Sequence, residues 1–203
     1  DSIPVRVVQT WMNLIHPMNQ KWLPIFVSGM EVGEAYERTV EMILANPDLK
    51  KWKYIFTMEH DNMMPPDALL KLYEAIEGGA DGGKYDVVGG LYWTKGENGQ
   101  PMCYGDPKVF PLNFIPQIPK PDMVQEFRGL GMGCNLFRME IFKDKKFKRP
   151  WFKTMQEYDP SKGAKLFTQD LWFYKQAGEL GYRFACDSRV KVGHYDLTTD
   201  KVW

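Results

Sequence analysis

Apolar residues along the first part of the chain form short runs typical of strands and one longer stretch with helical spacing. Ile3 to Trp11 is short and β-branched, which predicts a first strand, and Leu23 to Val27 is a second apolar run. Glu31 to Leu44 carries its apolar residues at helical spacing. Tyr54 to Met58 is a compact apolar run, the pattern of a central strand buried on both faces.

The rest of the chain continues this alternation. Pro65-Pro66-Asp67 opens a helix that ends at Gly78-Gly79, and Tyr85 to Leu91 predicts a further strand. Glu97 to Pro121 is rich in Pro and Gly and predicts a long irregular excursion. A glycine-rich run follows from Phe127 to Phe137. The sequence then predicts helices from Met139 to Phe142 and from Phe167 to Leu180, the second capped by Gly181. The last two predicted strands are Tyr182 to Ala185 and Val190 to Val192. Strands alternating with helices predict a largely parallel sheet covered on both sides.

Composition narrows the class of protein. The chain has 203 residues, which fits one domain over residues 1–203, and 26 basic residues balance 26 acidic ones. A neutral chain argues against nucleic acid as the main partner, and no apolar run has the length of a membrane span. The three cysteines lack the spacing of a disulfide framework or a zinc site, so we expect reduced thiols and a cytoplasmic protein.

Candidate chemistry lies where the central strand ends. Glu59-His60-Asp61-Asn62 directly follows the apolar run Tyr54 to Met58. Because ligands bind beyond the carboxyl ends of strands in open α/β sheets, this segment is the first candidate site. Carboxylates suit Mg²⁺ or Mn²⁺, which commonly bridge one or two acids to substrate phosphates. The alternative is a polar strand exit with an N-capping Asp.

Four further features each admit two interpretations. His194 is either a surface histidine or a further ligand for the metal. Asp170, in the first turn of a helix, either complements the helix dipole or is a general base that takes a proton from an acceptor hydroxyl. The glycines from Gly129 to Gly133 form a plain turn or let the backbone approach a sugar, and Arg38 is solvated or contacts a phosphate or base.

Several segments resemble those of nucleotide-sugar glycosyltransferases, in particular the inverting, family 2-like enzymes with an acid-x-acid motif. The resemblance is carried, in chain order, by GEAYERTVEMIL, YIFTMEHDNMMPPDALLKLYEAI, RGLGMGCNLFRMEIF, PWF and FTQDLWFYKQAGELGYRFACDSRVKVGH. These segments cover most of the chain. They depart from the family pattern in the first acid of the motif, which is Glu59, and in Gln169-Asp170, where an acid pair is usual.

The resemblance implies a GT-A fold, that is, a Rossmann-like α/β fold with a mostly parallel central sheet flanked by helices. It implies Mn²⁺ or Mg²⁺ as cofactor and a UDP- or GDP-sugar as donor. Asp61 and His194 would be the metal ligands, and Asp170 the candidate catalytic base. The residues that would contact substrate or nucleotide are Thr10, Trp11, Arg38, Glu59, His60, Gly131 and Gly133.

The expected function is therefore metal-dependent transfer of a sugar from a nucleotide-sugar donor to the hydroxyl of an unidentified acceptor. Two alternatives remain open. A sugar-phosphate nucleotidyltransferase also uses carboxylate-held Mg²⁺, although no glycine-rich, Lys/Arg-bearing loop follows the first predicted strand. A non-catalytic glycan-binding module is the other, because Trp11, Tyr92, Trp93 and Trp151 offer aromatic faces to sugars.

Overall fold

The computed structural model describes residues 2–78, 84–110, 113–161 and 163–203. The helices in these ranges are α1 (Val5–Met12), α2 (Val32–Ala45), α3 (Ala68–Ile76), α4 (Glu140–Lys143) and α5 (Gln169–Glu179), with a 3₁₀ turn at Leu49–Lys51. The strands are β1 (Tyr54–Met58), β2 (Asn62–Met63), β3 (Val87–Leu91), β4 (Cys103–Tyr104), β5 (Val124–Phe127), β6 (Gly129–Leu130), β7 (Cys134–Arg138), β8 (Met155–Asp159), β9 (Gly163–Phe167), β10 (Phe184–Lys191), β11 (Gly193–Asp196) and β12 (Lys201–Val202).

The central sheet has five strands in the order β1-β7-β3-β10-β5. Only the pair β3/β10 is parallel, and the other neighbours are antiparallel. The predicted GT-A, Rossmann-like sheet of mostly parallel strands flanked by helices is therefore wrong. The reason is that the excursion after β3 returns through β5 and β7, which enter the sheet antiparallel and need no crossover helix.

Three strands nevertheless run in one direction. Strands β1 and β3 are both antiparallel to β7, and β10 is parallel to β3. The carboxyl ends of β1, β3 and β10 consequently meet at one edge of the sheet, and the segments that follow them form the candidate site.

The N-terminal segment is a helix, so the strand predicted from Ile3 to Trp11 is wrong. Val7 is fully buried, and Leu14 is 5% exposed. Trp11, four residues after Val7 and on the same face of α1, is partly buried, and Leu14 lies just beyond the end of the helix. The β-branched composition was therefore outweighed by the packing of this face.

The two strands predicted from Tyr182 to Ala185 and from Val190 to Val192 are one strand, β10, with an irregularity between Asp187 and Lys191. Asp187, Ser188 and Arg189, in the middle of β10, are polar and lay between the two predicted strands. Asp187 is fully buried, and its carboxylate accepts hydrogen bonds of 2.9 and 2.8 Å from the Arg189 guanidinium, so its charge is paired within the strand.

The other long elements are confirmed with small shifts at their ends. Helix α2 covers the predicted helix from Glu31 to Leu44, and β1 has the predicted bounds from Tyr54 to Met58. The prediction that this strand is central and buried on both faces is wrong, because β1 lies at the edge of the sheet and only Thr57 in it is buried. Helix α3 ends before Gly78, which has a φ of 93°, whereas Gly79 lies outside the described residues. Gly181 has a φ of 90° after α5, as its predicted cap position requires.

Two apolar clusters fill the core. One is aromatic and joins α5 to β7, α4 and the segment after α4, with fully buried Phe173 at its centre. Leu72 and Ile76 of α3 are fully buried in the other, which also includes Val88 of β3. Among the described residues, no helix combines the length and the apolar content needed to cross a bilayer.

Candidate active site at the carboxyl edge of the sheet

The carboxyl edge brings together residues that are far apart in the sequence. Glu59 and Asp61 follow β1, Lys95 lies beyond β3, and His194 lies in β11 just after β10. Strands β2 and β11 pair antiparallel with His194 opposite Asn62, which fixes the two segments against each other. The backbone amide of Tyr195 also donates to the carbonyl oxygen of Asp61 at 2.8 Å. The site is therefore anchored by backbone pairing on both sides.

His194 faces Asp61 with a defined ring nitrogen. Its Nδ1 lies 2.7 Å from the carbonyl oxygen of Trp93, and its Nε2 lies 3.3 Å from Oδ2 of Asp61. A carbonyl oxygen only accepts hydrogen bonds, so Nδ1 carries a proton and Nε2 is the nitrogen directed at the carboxylate. When the imidazole is protonated, this contact is an ion pair. When the imidazole is neutral, Nε2 of His194 and Oδ2 of Asp61 are two ligand atoms for a cation.

Lys95 completes the contacts of the same carboxylate. Its Nζ lies 2.6 Å from Oδ2 of Asp61, the atom that His194 also contacts. Burial acts to raise the pKa of Asp61, but the hydrogen bonds and charges of His194 and Lys95 outweigh it and hold that pKa well below its usual range. Asp61 is therefore ionised at neutral pH. Lys95 was not predicted from the sequence.

Glu59 is a second acid with the opposite shift. Burial, and then the charges of Asp61 and Asp170, raise its pKa from 4.5 to about 7. The hydroxyl of Tyr36 on α2 lies 3.2 Å from Oε1 and donates to it, which opposes the increase. The two acids of the motif therefore differ in charge near neutral pH, with Asp61 ionised and Glu59 able to exchange a proton.

Asp170 lies in the first turn of α5 and is 5% exposed. Burial raises its pKa, and hydrogen bonds from the Thr168 hydroxyl and the Leu171 amide, both on Oδ1, partly offset the increase. Its charge acts on Glu59, so the predicted base belongs to the same acidic cluster. A raised pKa brings a carboxylate closer to the range in which it accepts a proton at neutral pH.

The glycines serve close packing of protein side chains. A Cβ at Gly131 would lie 2.2 Å from the Tyr92 hydroxyl oxygen, and one at Gly133 would lie 2.2 Å from Oδ1 of Asn62. The amide of Gly133 donates to the Tyr92 hydroxyl at 2.9 Å. These positions thus need glycine because side chains of the site pack against the backbone, and contact of Gly131 or Gly133 with substrate stays a prediction.

The remaining predicted residues occupy three different places. The indole Nε1 of Trp11 donates to the Asn62 carbonyl oxygen at 3.0 Å, and Thr10 Oγ1 accepts from the Met64 amide at 3.1 Å, so both support the segment after β1. His60 is exposed beside Asp61. Arg38 pairs with Glu34 at 2.7 Å on the outer face of α2 and lines a separate shallow depression, so the structure does not bring it to the site.

A groove of about 1190 Å³ opens beside the two acids. Its lining includes β1, α2 with Tyr36, and the segment that contains Trp22 and Phe26. Glu59, His60 and Asp61 lie on the lining, as does Trp11. The volume exceeds the usual range for small-ligand pockets, so a nucleotide-sized molecule fits.

The side chains present are consistent with a divalent cation whose coordination is completed by substrate. Within the described ranges, no group of three or more His, Cys, Asp or Glu side chains is arranged to hold a metal ion. Asp61 and His194 supply two ligand atoms, and Mg²⁺ sites often use one or two carboxylates together with phosphates and water. The Nδ1 contact with Trp93 is the outer hydrogen bond that metal-binding histidines usually make.

No protein-family model matches the chain, and no curated protein matches it. Among solved structures, the chain is similar to the crystal structure of A197 from STIV, with a TM-score of 0.64 and 18% sequence identity. The alignment covers 99% of this chain and 87% of A197. At this identity the similarity shows a shared fold and nothing about activity.

The raised pKa of Glu59 predicts a pH-dependent stability of the metal-free protein. Stability from the protonated carboxyl is fully present below the unfolded pKa of 4.5 and is lost as the pH rises through about 7. We expect Glu59→Gln to remove this loss. Relative to wild type, the variant should gain about 2 kcal/mol of unfolding free energy between pH 4.5 and 8. This is less than the free energy that corresponds to the whole pKa shift of Glu59, because that side chain is only half-buried and solvent screens its charge.

Urea unfolding in EDTA at several pH values measures this difference. Glu179→Gln, at an exposed position on α5 that pairs with Lys175, controls for the general effect of the substitution. A Glu59→Gln advantage that is the same at pH 4.5 and pH 8 would contradict the prediction.

Proposed function

We propose that the chain is a metal-dependent glycosyltransferase that moves a sugar from a nucleotide-sugar donor to an acceptor hydroxyl. The observation that carries the proposal is the pair Asp61–His194, whose Oδ2 and Nε2 lie 3.3 Å apart with the imidazole fixed by the Trp93 carbonyl. An acid-x-acid motif and a distant histidine thus meet at one point, as the resemblance to nucleotide-sugar glycosyltransferases implies. The groove beside them supplies the space for a donor.

Asp61 and His194 would hold Mn²⁺ or Mg²⁺. The chemistry that such an ion supplies when bound is neutralisation of the negative charge on the departing nucleoside diphosphate. Residues of the protein would bind and orient the donor. The groove would enclose part of the donor, and the exposed aromatic faces of Trp22 and Phe26 are surfaces on which a nucleotide base can stack.

Asp170 is suited to accept the proton of the acceptor hydroxyl. Its hydrogen bonds from Thr168 and Leu171 both fall on Oδ1, so Oδ2 is the atom that would take the proton. Burial raises its pKa and so makes it a stronger base than an exposed aspartate. This role belongs to an inverting reaction, which the resemblance favours, and a retaining reaction would need no such base.

The test is thermal stabilisation of the dialysed protein by a panel of nucleoside diphosphates and their sugar conjugates, with and without Mn²⁺. A ligand at a hundred times its Kd stabilises the native state by about 2.7 kcal/mol, which corresponds to about 5–10 °C in Tm for a chain of this length. We expect the shift only when Mn²⁺ and one nucleotide are both present. Formation of free nucleoside diphosphate from the conjugate then measures transfer or hydrolysis.

The same panel separates the alternatives. Stabilisation by a nucleoside triphosphate, with formation of the sugar nucleotide from a sugar phosphate, would favour a nucleotidyltransferase. Stabilisation by glycans that is indifferent to Mn²⁺ and to nucleotides would favour a glycan-binding module. No shift with any nucleotide in a folded protein would refute the proposal.

A further inference from the structure

We infer that Lys95 occupies the cation position at Asp61 in the ligand-free protein and moves to the diphosphate of the donor when metal and nucleotide bind. The inference rests on the proposed function and assigns a further binding residue to it. The Lys95 ammonium and the His194 imidazole converge on a single oxygen, Oδ2 of Asp61, at 2.6 and 3.3 Å. A divalent ion held by Asp61 and His194 would need that same oxygen.

Lys95 and a metal ion cannot both contact Oδ2 of Asp61 at the same time. An ammonium 2.6 Å from the carboxylate already neutralises it, so a metal alone must displace a strong charge-assisted hydrogen bond. Two cations on one oxygen also repel each other. The ligand-free site is therefore expected to bind metal weakly.

Lys95 has room to move while its backbone stays fixed. It lies at the start of a tight turn in which the Thr94 amide donates to the Gln100 carbonyl at 2.8 Å and the Gln100 amide donates to the Thr94 hydroxyl at 2.8 Å. The Lys95 side chain is 34% exposed, about twice the exposure of Asp61 or His194. A flexible side chain on an anchored turn can leave one anion for another nearby without refolding of the loop.

The charge of the donor provides the second anion. The cluster already contains the acids Glu59, Asp61 and Asp170, and a nucleoside diphosphate adds further negative charge beside them. Lysine binds phosphate as a point charge, and Lys95, whose Nζ lies 2.6 Å from Oδ2 of Asp61, is within reach of phosphates that bind beside that carboxylate. Lys95 would thus neutralise Asp61 before binding and the diphosphate after it.

The experiment compares wild type with Lys95→Met, which keeps the length of the side chain and removes its charge. Binding of Mn²⁺ alone is measured by the loss of the free-ion signal in electron paramagnetic resonance, and binding of UDP and GDP at saturating Mn²⁺ by calorimetry. We expect Lys95→Met to bind Mn²⁺ alone about tenfold more tightly and the preferred nucleotide about tenfold more weakly. Lys95→Arg, which keeps the positive charge, should bind Mn²⁺ alone as weakly as wild type.

Lys71→Met is the matched control, because Lys71 pairs with Asp67 at 2.7 Å on α3 with a similar exposure of 31%. It should change neither affinity. If Lys95→Met lowers both affinities or changes neither, the inference is wrong, since a structural role would not move them in opposite directions. Opposite changes in a protein that transfers no sugar would support the role of Lys95 and refute the glycosyltransferase proposal, whereas absence of Mn²⁺ binding in every variant would refute both.

Discussion

Replacing Asp61 by asparagine is expected to abolish the stabilisation of the protein by nucleotide and Mn²⁺ together, and to lower turnover by about 10²-fold or more. Asparagine has nearly the same volume, so the pairing of β2 with β11 beside it should persist. What changes is the charge. The oxygen that contacts both Lys95 and His194 becomes a neutral amide atom, which is a poor ligand for a divalent cation.

The measurement must separate binding from stability, because the substitution also leaves two basic groups without their carboxylate partner. Ligand-free Asp61→Asn is expected to melt below wild type for this reason. The informative quantity is therefore the change in Tm on adding Mn²⁺ and nucleotide to each variant. Asp67→Asn removes the carboxylate from the comparable pair with Lys71 on α3 and should keep the full shift.

A wild-type shift in Asp61→Asn would rule out Asp61 as a metal ligand. The pair Asp61–His194 would then be a structural ion pair, and the proposed function would lose the observation that carries it. If the Tm shift is absent in both Asp61→Asn and His194→Ala, both residues are assigned as metal ligands, because each side chain supplies one atom of the pair.

The sequence was sufficient to identify this candidate site because its main signal is local. A fully apolar strand followed at once by Glu59 and Asp61 needs no knowledge of the neighbouring strands, and β1 formed where it was predicted. Lys95 was missed because its contact with Asp61 depends on the sheet order, in which β7 lies between β1 and β3. The carboxyl-edge rule, applied to the strand ending at Leu91, would have drawn attention to the residues after it.

The error in the strand directions has a simple cause. Local patterns identify strands, but whether neighbouring strands are parallel depends on how the connecting segments return, and the Gly- and Pro-rich excursion after β3 carries no such information. Arg38 shows the same limit for a side chain. Its position on α2 was correctly predicted as helical, yet the face that it occupies pairs it with Glu34 away from the groove.

Phe173→Ala is expected to have the largest effect on stability, about 3–5 kcal/mol, which corresponds to about 10 °C in Tm. Phe173 is fully buried and lies at the centre of the aromatic cluster. Its ring stacks on Phe152 with centroids 5.0 Å apart and packs edge-on against Phe137 at 5.4 Å. Removal of the ring leaves a cavity between α5 and the sheet that rigid neighbours on several elements cannot fill.

Thermal and urea unfolding of ligand-free protein measure this loss, with Phe110→Ala, at a position that is 77% exposed, as the control of small effect. A loss below 1 kcal/mol for Phe173→Ala would contradict the packing. Because Phe173 lies one turn after Asp170 on α5, the cavity should also loosen the predicted base, whereas Asp61 and His194 are held by strands outside that cluster. At a temperature where the variant is folded, we therefore expect turnover to fall while the affinity for Mn²⁺ with nucleotide stays close to that of wild type.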